Sequence, residues 1–169
     1  MAGGQPEILK SRGKQQSVCI GVISDTHGLL RESVIDRLKG VDLILHAGDV
    51  CSETLLESLR RLAPVYAVRG NCDRGEAAQK LPVRELIQIG EHQIYMLHDL
   101  NHLDLDPVAA NIHVVVCGHT HAAYSEQRGP VFFINPGSAG PRRYMLPVTM
   151  GFLTLDEGTC SFEIIPLEN

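Results

Sequence analysis

The chain repeatedly places metal-binding side chains directly after an apolar run. Four segments follow this order: Asp25-Thr26-His27, Gly48-Asp49, Gly70-Asn71-Cys72-Asp73 and Gly118-His119-Thr120-His121. If the apolar runs are parallel strands, their carboxyl ends meet at one edge of a sheet, which brings these segments together. Carboxylate, amide and imidazole groups gathered in one place predict a metal cluster. In an open α/β protein, such a cluster is typical of phosphate-ester hydrolysis.

The spacing inside two of these segments supports shared metal ions. In a strand, residues i and i+2 point to the same side. Asp25 and His27 are therefore expected to share one metal ion, and His119 and His121 are expected to act together near two.

The first half of the chain alternates strand patterns with amphipathic helix patterns. A helix is predicted at 29–38, and a second helix is predicted to begin after Ser52, which is a good capping residue. The apolar runs predict strands at 18–24, 41–45 and 65–68. This β-α-β-α-β order predicts right-handed crossovers and a parallel sheet.

The second half of the chain is rich in strand patterns. A hairpin is predicted across Gly90-Glu91, and a short helical stretch is predicted at 106–110. Strands are expected at 86–89, 93–97, 114–117, 131–134, 151–155 and 161–165. The fold class is therefore α/β, and two packed mixed sheets with helices outside are the simplest architecture.

Length and composition narrow the classes of protein to consider. A length of 169 residues suits one domain, which we place at 17–169 behind a tail at 1–16 that we expect to be flexible. The formal net charge of −5 and the few aromatic residues argue against strong nucleic-acid binding. No apolar run approaches the roughly 20 residues of a membrane-spanning helix. The five cysteines include no Cys-x-x-Cys pair, which predicts a reducing, cytoplasmic location.

Each of the four segments also has a purely structural interpretation. The Asp25 segment can be a turn and helix cap, and Gly48-Asp49 is a common turn dipeptide. The Gly70 segment can be a plain loop. Two histidines spaced as His119 and His121 are harder to explain in this way. The shared position of all four segments after predicted strands favours a joint metal site.

The other histidines receive separate predictions. His46 lies inside the second strand and is expected to be buried and hydrogen-bonded. His92 and His113 are expected to be neutral bystanders. His98 follows a strand pattern and is by itself a weak candidate ligand. His102 is either an exposed loop residue or, because it is close to His98 in the sequence, a functional one.

The ordered set of segments resembles the calcineurin-like metallophosphoesterases, and within them the small single-domain bacterial and archaeal phosphodiesterase group. The resemblance runs from about Val18 to Ile165 and includes Asn135-Pro136-Gly137-Ser138, which looks like a segment that the small group carries. It implies a four-layer α/β/β/α sandwich of two mixed sheets. It also implies two metal ions, with Asp25, His27, Asp49 and His121 around one, and Asp49, Asn71, His98 and His119 around the other, so that Asp49 bridges.

The predicted reaction is phosphodiester hydrolysis that depends on two divalent metal ions. Two cations about 3.5–4 Å apart lower the pKa of a shared water, so that metal-bound hydroxide attacks phosphorus in line. The mixed ligands suit Mn²⁺, Fe, Zn²⁺ or Ni²⁺, and the resemblance favours Mn²⁺. The expected partner is a small phosphoester substrate, and exposed strand edges allow a homo-oligomer.

Two departures from larger members of that family bear on catalysis. Cys72 stands where many of them have a histidine that can act as a general acid, so we expect a preference for good leaving groups. Asp99 stands where glycine is more common, and its charge is expected to disfavour dianionic monoesters relative to monoanionic diesters. We predict catalytic roles for Asn71 and His102, with His102 replacing the missing imidazole. We also predict substrate contacts for Cys72 and Asp73.

Functions of other classes also fit a domain of this kind. One is a catalytically weak metal-binding scaffold for protein partners, as in the retromer trafficking complex. A phosphomonoesterase or a nuclease is another alternative. Because the expected ligand type stands at each position of the motif set, the sequence favours an enzyme.

Overall fold

A computed structural model describes residues 17–167, which form two mixed sheets of five strands each. The predicted tail at 1–16 and the last two residues lie outside the described residues. Apolar side chains from the facing sides of both sheets make one buried cluster, which includes Ile20, Leu45, Met96 and Leu153. The predicted pair of packed mixed sheets is therefore confirmed.

The first sheet is ordered β10-β9-β1-β2-β3, and its central strands are parallel, as predicted. Its strands are β1 (Val18–Ile23), β2 (Leu43–His46), β3 (Val65–Ala67), β9 (Thr149–Asp156) and β10 (Thr159–Pro166). Strand β9 pairs antiparallel with both β1 and β10.

The second sheet is ordered β4-β5-β6-β8-β7 and has parallel pairing at its centre, between β5, β6 and β8. Its strands are β4 (Arg84–Ile89), β5 (His92–Leu97), β6 (Val114–Val116), β7 (Tyr124–Arg128) and β8 (Val131–Asn135). The predicted hairpin is β4-β5, which turns at Gly90.

The two outer layers differ in their construction. Helices α1 (Glu32–Leu38) and α2 (Glu53–Arg60) cover the outer face of the first sheet through a second apolar cluster. Leu38 of α1 occupies the space that a side chain at Gly21 of β1 would need, so the helix lies directly on the strand. The outer face of the second sheet is covered by the short 3₁₀ helix Leu100–His102 and the turns that follow it.

Two predicted helices differ from the structure for identifiable reasons. The helix predicted at 29–38 begins only at Glu32, because Arg31 has an extended backbone with φ of −73° and ψ of 145°, and the amide of Leu29 closes a preceding turn on the carbonyl of Thr26. The stretch at 106–110 forms turns rather than a helix. Asn111 takes a left-handed backbone conformation with φ of 56°, which stops the helical hydrogen bonding.

Two elements were not predicted from the sequence. Strand β7 is an edge strand whose side chains are mostly exposed, so it lacks an apolar pattern. Helix α3 (Gly75–Gln79) has five residues and begins with glycine, which is a poor helix former.

Among the helices of the described residues, none has the length and apolarity that crossing a bilayer requires.

His46 closes β2 with a fully buried ring, as predicted. Its Nε2 atom lies 2.9 Å from the hydroxyl of Thr26, so this histidine links β2 to the loop after β1. Burial lowers the pKa of His46 to about 4, and the nearby carboxylate of Asp25 only partly opposes this effect. The folded protein therefore holds His46 neutral at pH values where an unfolded chain protonates it.

We predict that replacing His46 by glutamine flattens the dependence of stability on pH. Between pH about 6.5 and the lowered pKa of about 4, the unfolded wild-type chain binds the extra proton and the folded one does not. Stability is therefore fully present above pH about 6.5 and falls by up to roughly 3 kcal/mol on acidification.

The measurement is chemical denaturation of metal-free protein from pH 7 to pH 4. The exposed His102, replaced by glutamine, is the matched control and should keep the wild-type slope. Equal slopes for His46→Gln and the wild type would contradict the prediction.

Candidate metal centre

The predicted metal-binding segments converge because both sheets send the carboxyl ends of central strands to the same place. The loops after β1, β2 and β3 come from the first sheet, and the loops after β5 and β6 come from the second. The seven predicted ligands lie in one cluster of short contacts, which is called the centre below: Asp25, His27, Asp49, Asn71, His98, His119 and His121.

The first group of side chains surrounds Asp25. Its Oδ1 atom lies 3.2 Å from Nε2 of His121. The rings of His27 and His121 stack with their centroids 5.4 Å apart. Asp25, His27 and His121 each offer one ligand atom, and these atoms lie within 4.8 Å of one another, which is close enough for one metal ion.

The second group of side chains surrounds His98. Its Nε2 atom lies 3.1 Å from Oδ1 of Asn71 and 3.4 Å from Oδ2 of Asp49. The amide oxygen of Asn71 also lies 3.0 Å from Nδ1 of His119. Ligand atoms of Asp25, Asp49 and His98 form a second compact set within 4.8 Å.

Besides Asp25, whose Oδ1 atom also lies 3.9 Å from Nε2 of His98, Asp49 faces ligands of both groups. Its Oδ2 atom faces His98 at 3.4 Å and His27 at 3.7 Å. Its other oxygen, Oδ1, accepts a hydrogen bond of 2.7 Å from the backbone amide of Cys72. One oxygen is therefore held in place while the other faces ligands of both groups.

Most of the predicted ligands have left-handed backbone conformations, which direct their side chains toward the centre. Five of the eight non-glycine residues with positive φ among the described residues are predicted ligands: Asp25, His27, Asp49, His119 and His121. The expectation that Asp25 and His27 point to the same side of a strand is wrong, because β1 ends at Ile23. Such conformations are unfavourable and concentrate at functional sites.

Backbone and hydroxyl groups outside the centre orient the ligands. Nδ1 of His98 lies 2.7 Å from the carbonyl oxygen of Ala47, and since a carbonyl only accepts, Nδ1 carries the proton. The lone pair of Nε2 therefore faces the centre, as metal ligation requires. Oδ2 of Asp25 accepts from the hydroxyl of Ser24 and from the amide of His119, so Oδ1 is left for the centre.

The electrostatics of the buried carboxylates fit a cation. Asp25 is 0% exposed and Asp49 is 2% exposed. Burial alone would raise their pKa values, but the nearby ring of His121 and the hydroxyl of Ser24 lower the pKa of Asp25, and contacts with His98 and the Cys72 amide lower that of Asp49. Oδ1 of Asp25 accepts no hydrogen bond within the described residues. A buried charge of this kind needs a counter-ion, and divalent metal ions fit these donors.

Known proteins share this arrangement of strands and segments. The model of the calcineurin-like phosphoesterase superfamily domain matches residues 18–158. The chain belongs to this superfamily. The family predicted from the motif set is thus confirmed, and divalent metal ions are the cofactors that it implies.

Relatives in archaea and bacteria support the same assignment. A probable metallophosphoesterase of Methanocaldococcus jannaschii is 33% identical over 165 residues, covering 90% of this chain and 83% of the relative. The phosphodiesterase YfcE of Escherichia coli strain K12 is 31% identical over 160 residues, covering 79% of this chain and 85% of the relative. The structure of Vacuolar Protein Sorting 29 from Cryptosporidium parvum has a TM-score of 0.72 at 20% identity, covers 90% of this chain and 99% of that chain, and shows the fold alone.

The two predicted substrate-binding residues of this calcineurin-like domain, Cys72 and Asp73, have different surroundings. Both carboxylate oxygens of Asp73 accept backbone amides at 2.7 Å, from Cys51 and from Gly70, which favours a structural role. The thiol of Cys72 lies 3.4 Å from the side-chain amide of Asn71. Cys72, His27 and Asp49 also form a third compact set of ligand atoms.

His102 lies at the rim of the centre rather than inside it. Its side chain is 75% exposed, and Nδ1 is 3.8 Å from Oδ2 of Asp99. The same carboxylate oxygen is 3.7 Å from Nε2 of His119. Asp99 therefore links His102 to a predicted ligand, and the catalytic role of His102 stays a prediction.

Sequence reasoning missed two residues at the centre. The thiol of Cys51 lies 4.0 Å from Nδ1 of His27, and burial, together with Asp73, raises the pKa of this thiol to about 12. The guanidinium of Arg143 lies 3.2 Å from Nε2 of His27, although 116 positions separate them. The only signal for Arg143 was its place soon after the Asn135 to Ser138 segment.

We predict that Asp49→Asn lowers metal binding more than the loss of a ligand from one group alone. The amide keeps the shape of the side chain, but it removes the charge that faces both groups. Elemental analysis after equilibration with Mn²⁺ should give about two ions per wild-type chain and about one for His121→Ala. Asp49→Asn should retain less bound Mn²⁺ per chain than His121→Ala.

The exposed Asp36, which forms an ion pair with Lys39, provides the control as Asp36→Asn. Wild-type metal content in the Asp49→Asn variant would contradict the shared role of Asp49.

Proposed function

We propose that this protein is a phosphodiesterase that depends on two divalent metal ions, with Mn²⁺ as the working metal. One observation carries the proposal: a single oxygen of Asp49 faces His27 and His98, one from each group. Asp25, His27, Asp49 and His121 would hold one ion, and Asp49, Asn71, His98 and His119 the other. The relative YfcE, named a phosphodiesterase, supports this class of reaction.

The chain's own residues supply positions and charge for this chemistry. When bound, the two cations lower the pKa of water for attack on phosphorus and polarise the phosphoryl oxygens. Asp25 and Asp49 stay ionised, and their burial strengthens every charge interaction with the substrate. His98, fixed by the carbonyl of Ala47, needs no reorientation to bind metal.

Two features of the centre support diesters over monoesters. Burial would raise the pKa of Asp99, but the amide of Asn101 and the nearby His119 lower it, so Asp99 carries a negative charge beside the centre. That charge opposes a dianionic monoester more than a monoanionic diester. Cys72 provides a thiol at a position where an imidazole would be a better proton donor. Because the thiol protonates a leaving group poorly, substrates with good leaving groups are favoured.

The alternative function is a metal-binding scaffold for protein partners. It draws on the fold shared with Vacuolar Protein Sorting 29, whose name points to trafficking rather than to ester hydrolysis. Metal ligands alone do not separate the two functions, because the structure of Vps29 from Entamoeba histolytica is a complex with zinc. The relative YfcE, which is 31% identical and named a phosphodiesterase, supports the reaction. We therefore favour the enzyme.

We predict turnover of bis(p-nitrophenyl) phosphate that depends on added Mn²⁺ and is lost in chelator. Asp25→Asn should lower kcat by at least about 100-fold, because it removes a charge that holds a cation. Release of p-nitrophenolate and bound metal are measured on the same samples, with Asp36→Asn as the control. A metal-loaded protein without turnover of phosphodiesters would favour the scaffold.

We predict that His102→Ala affects substrates according to their leaving group. If His102 supplies a proton, the variant should hydrolyse diphenyl phosphate about 100-fold more slowly than the wild type, because phenolate leaves poorly without protonation. Its rate on bis(p-nitrophenyl) phosphate should change little. Equal rates of the variant and the wild type on diphenyl phosphate would contradict a general-acid role for His102.

A further inference from the structure

The loop between β8 and β9 brings a basic and apolar segment to the metal centre. This segment, Arg143-Tyr144-Met145, is called the arm below. Arg142, which directly precedes the arm, is also basic, although the net charge of the chain is −5. The family assignment accounts for the ligands of the centre and gives the arm no role.

The base of the arm is fixed to the loop that carries Asp25 and His27. The hydroxyl of Ser138 donates to the backbone carbonyl of Asp25 at 3.0 Å. Gly140 lies so close to the backbone of the Asp25 loop that a side chain would overlap it. The guanidinium of Arg31 donates to the carbonyl of Gly140 at 3.2 Å. The arm therefore starts from a defined position beside the centre.

Arg143 projects from this base to the edge of the centre. Its Nη2 atom lies 3.2 Å from Nε2 of His27, the atom that also faces Asp49. The positive charge of Arg143 therefore stands at the His27 side of the centre.

The guanidinium of Arg143 has no anionic partner among residues 17–167. Its hydrogen-bond partner there is the ring nitrogen of His27, which is a predicted metal ligand atom. If that nitrogen binds a metal ion, its lone pair is no longer available to Arg143. A guanidinium then presents a planar fork of N–H donors, which matches the oxygens of a phosphoryl group.

The next two residues of the arm offer apolar surface. Tyr144 is 93% exposed and Met145 is 90% exposed. Tyr144 has a φ of 52°, which is rare for an aromatic residue, and the amide of Leu146 donates to the carbonyl of Arg143 to close the turn. Large apolar side chains held in solvent next to an anion-binding group are typical of a binding surface.

We propose that the arm is the substrate-binding element of this enzyme. Arg143 binds a non-bridging phosphoryl oxygen, and Tyr144 and Met145 contact the organic group of the ester. The substrate class that fits is a monoanionic phosphodiester that carries at least one aromatic or other apolar ester group. This inference rests on the proposed phosphodiesterase function.

The first test separates anion binding from turnover. Calorimetry with inorganic phosphate and Mn²⁺-loaded protein should show a Kd at least about 10-fold weaker for Arg143→Ala than for the wild type. KM for bis(p-nitrophenyl) phosphate should rise by a similar factor, and bound Mn²⁺ should be unchanged. Arg142→Ala is the matched control and should behave as wild type, and Arg143→Lys should fall between.

The outcomes distinguish this inference from the proposed function. Active enzyme with equal phosphate affinity in Arg143→Ala and Arg142→Ala would overturn the role of Arg143 and leave the phosphodiesterase intact. Weakened phosphate binding in Arg143→Ala, without turnover of any diester by the wild type, would support the anion site and contradict the phosphodiesterase.

The second test concerns the organic group. Bis(p-nitrophenyl) phosphate and methyl p-nitrophenyl phosphate share a leaving group and differ in the other ester group. The wild type should have a lower KM for the diaryl ester, and the double variant Tyr144→Ala/Met145→Ala should lose this preference while its affinity for inorganic phosphate stays the same. An unchanged KM ratio in the double variant would overturn the apolar contact.

Discussion

The arrangement of the centre depends on one buried carboxylate, that of Asp49, whose two oxygens have different partners. Oδ1 of Asp49 is fixed by the amide of Cys72, and Oδ2 faces His27 and His98. Gly70 has no room for a side chain, because Asp49 occupies that space. The loops after β2 and β3 must therefore approach each other closely. The lack of a side chain at Gly48, beside His98, lets the loops of the two sheets do the same.

This convergence explains the unusual backbone of the site. Left-handed conformations at five predicted ligands would be unfavourable in isolation. Hydrogen bonds between the loops after β1 and β2 hold them: the amides of Asp25, His27 and Gly28 donate to the carbonyls of Gly48, Asp49 and Val50. The backbone itself thus fixes the positions of the predicted ligands, and such preorganisation is what electrostatic catalysis needs.

Much of the fold could be predicted from the sequence because the buried strands are apolar runs that end in polar segments. Strand β7 could not be, because its exposed edge carries no apolar pattern. The ligand cluster followed from residue type and position after strands. The contact of Arg143 with His27 could not be predicted, because it spans 116 positions and depends on where a long loop folds back. The backbone contacts of Asp73 could not be predicted for a related reason, since residue type does not reveal that both its oxygens accept from backbone amides. Its contact with substrate stays a prediction.

The central claim is that Asp49 joins two metal ions, and anomalous diffraction from crystals equilibrated with Mn²⁺ tests it most directly. The account predicts two peaks about 3.5–4 Å apart on either side of Oδ2 of Asp49. One peak would lie among Asp25, His27 and His121, and the other beside His98. A single peak, or two peaks with Asp49 bound to neither, would contradict the account.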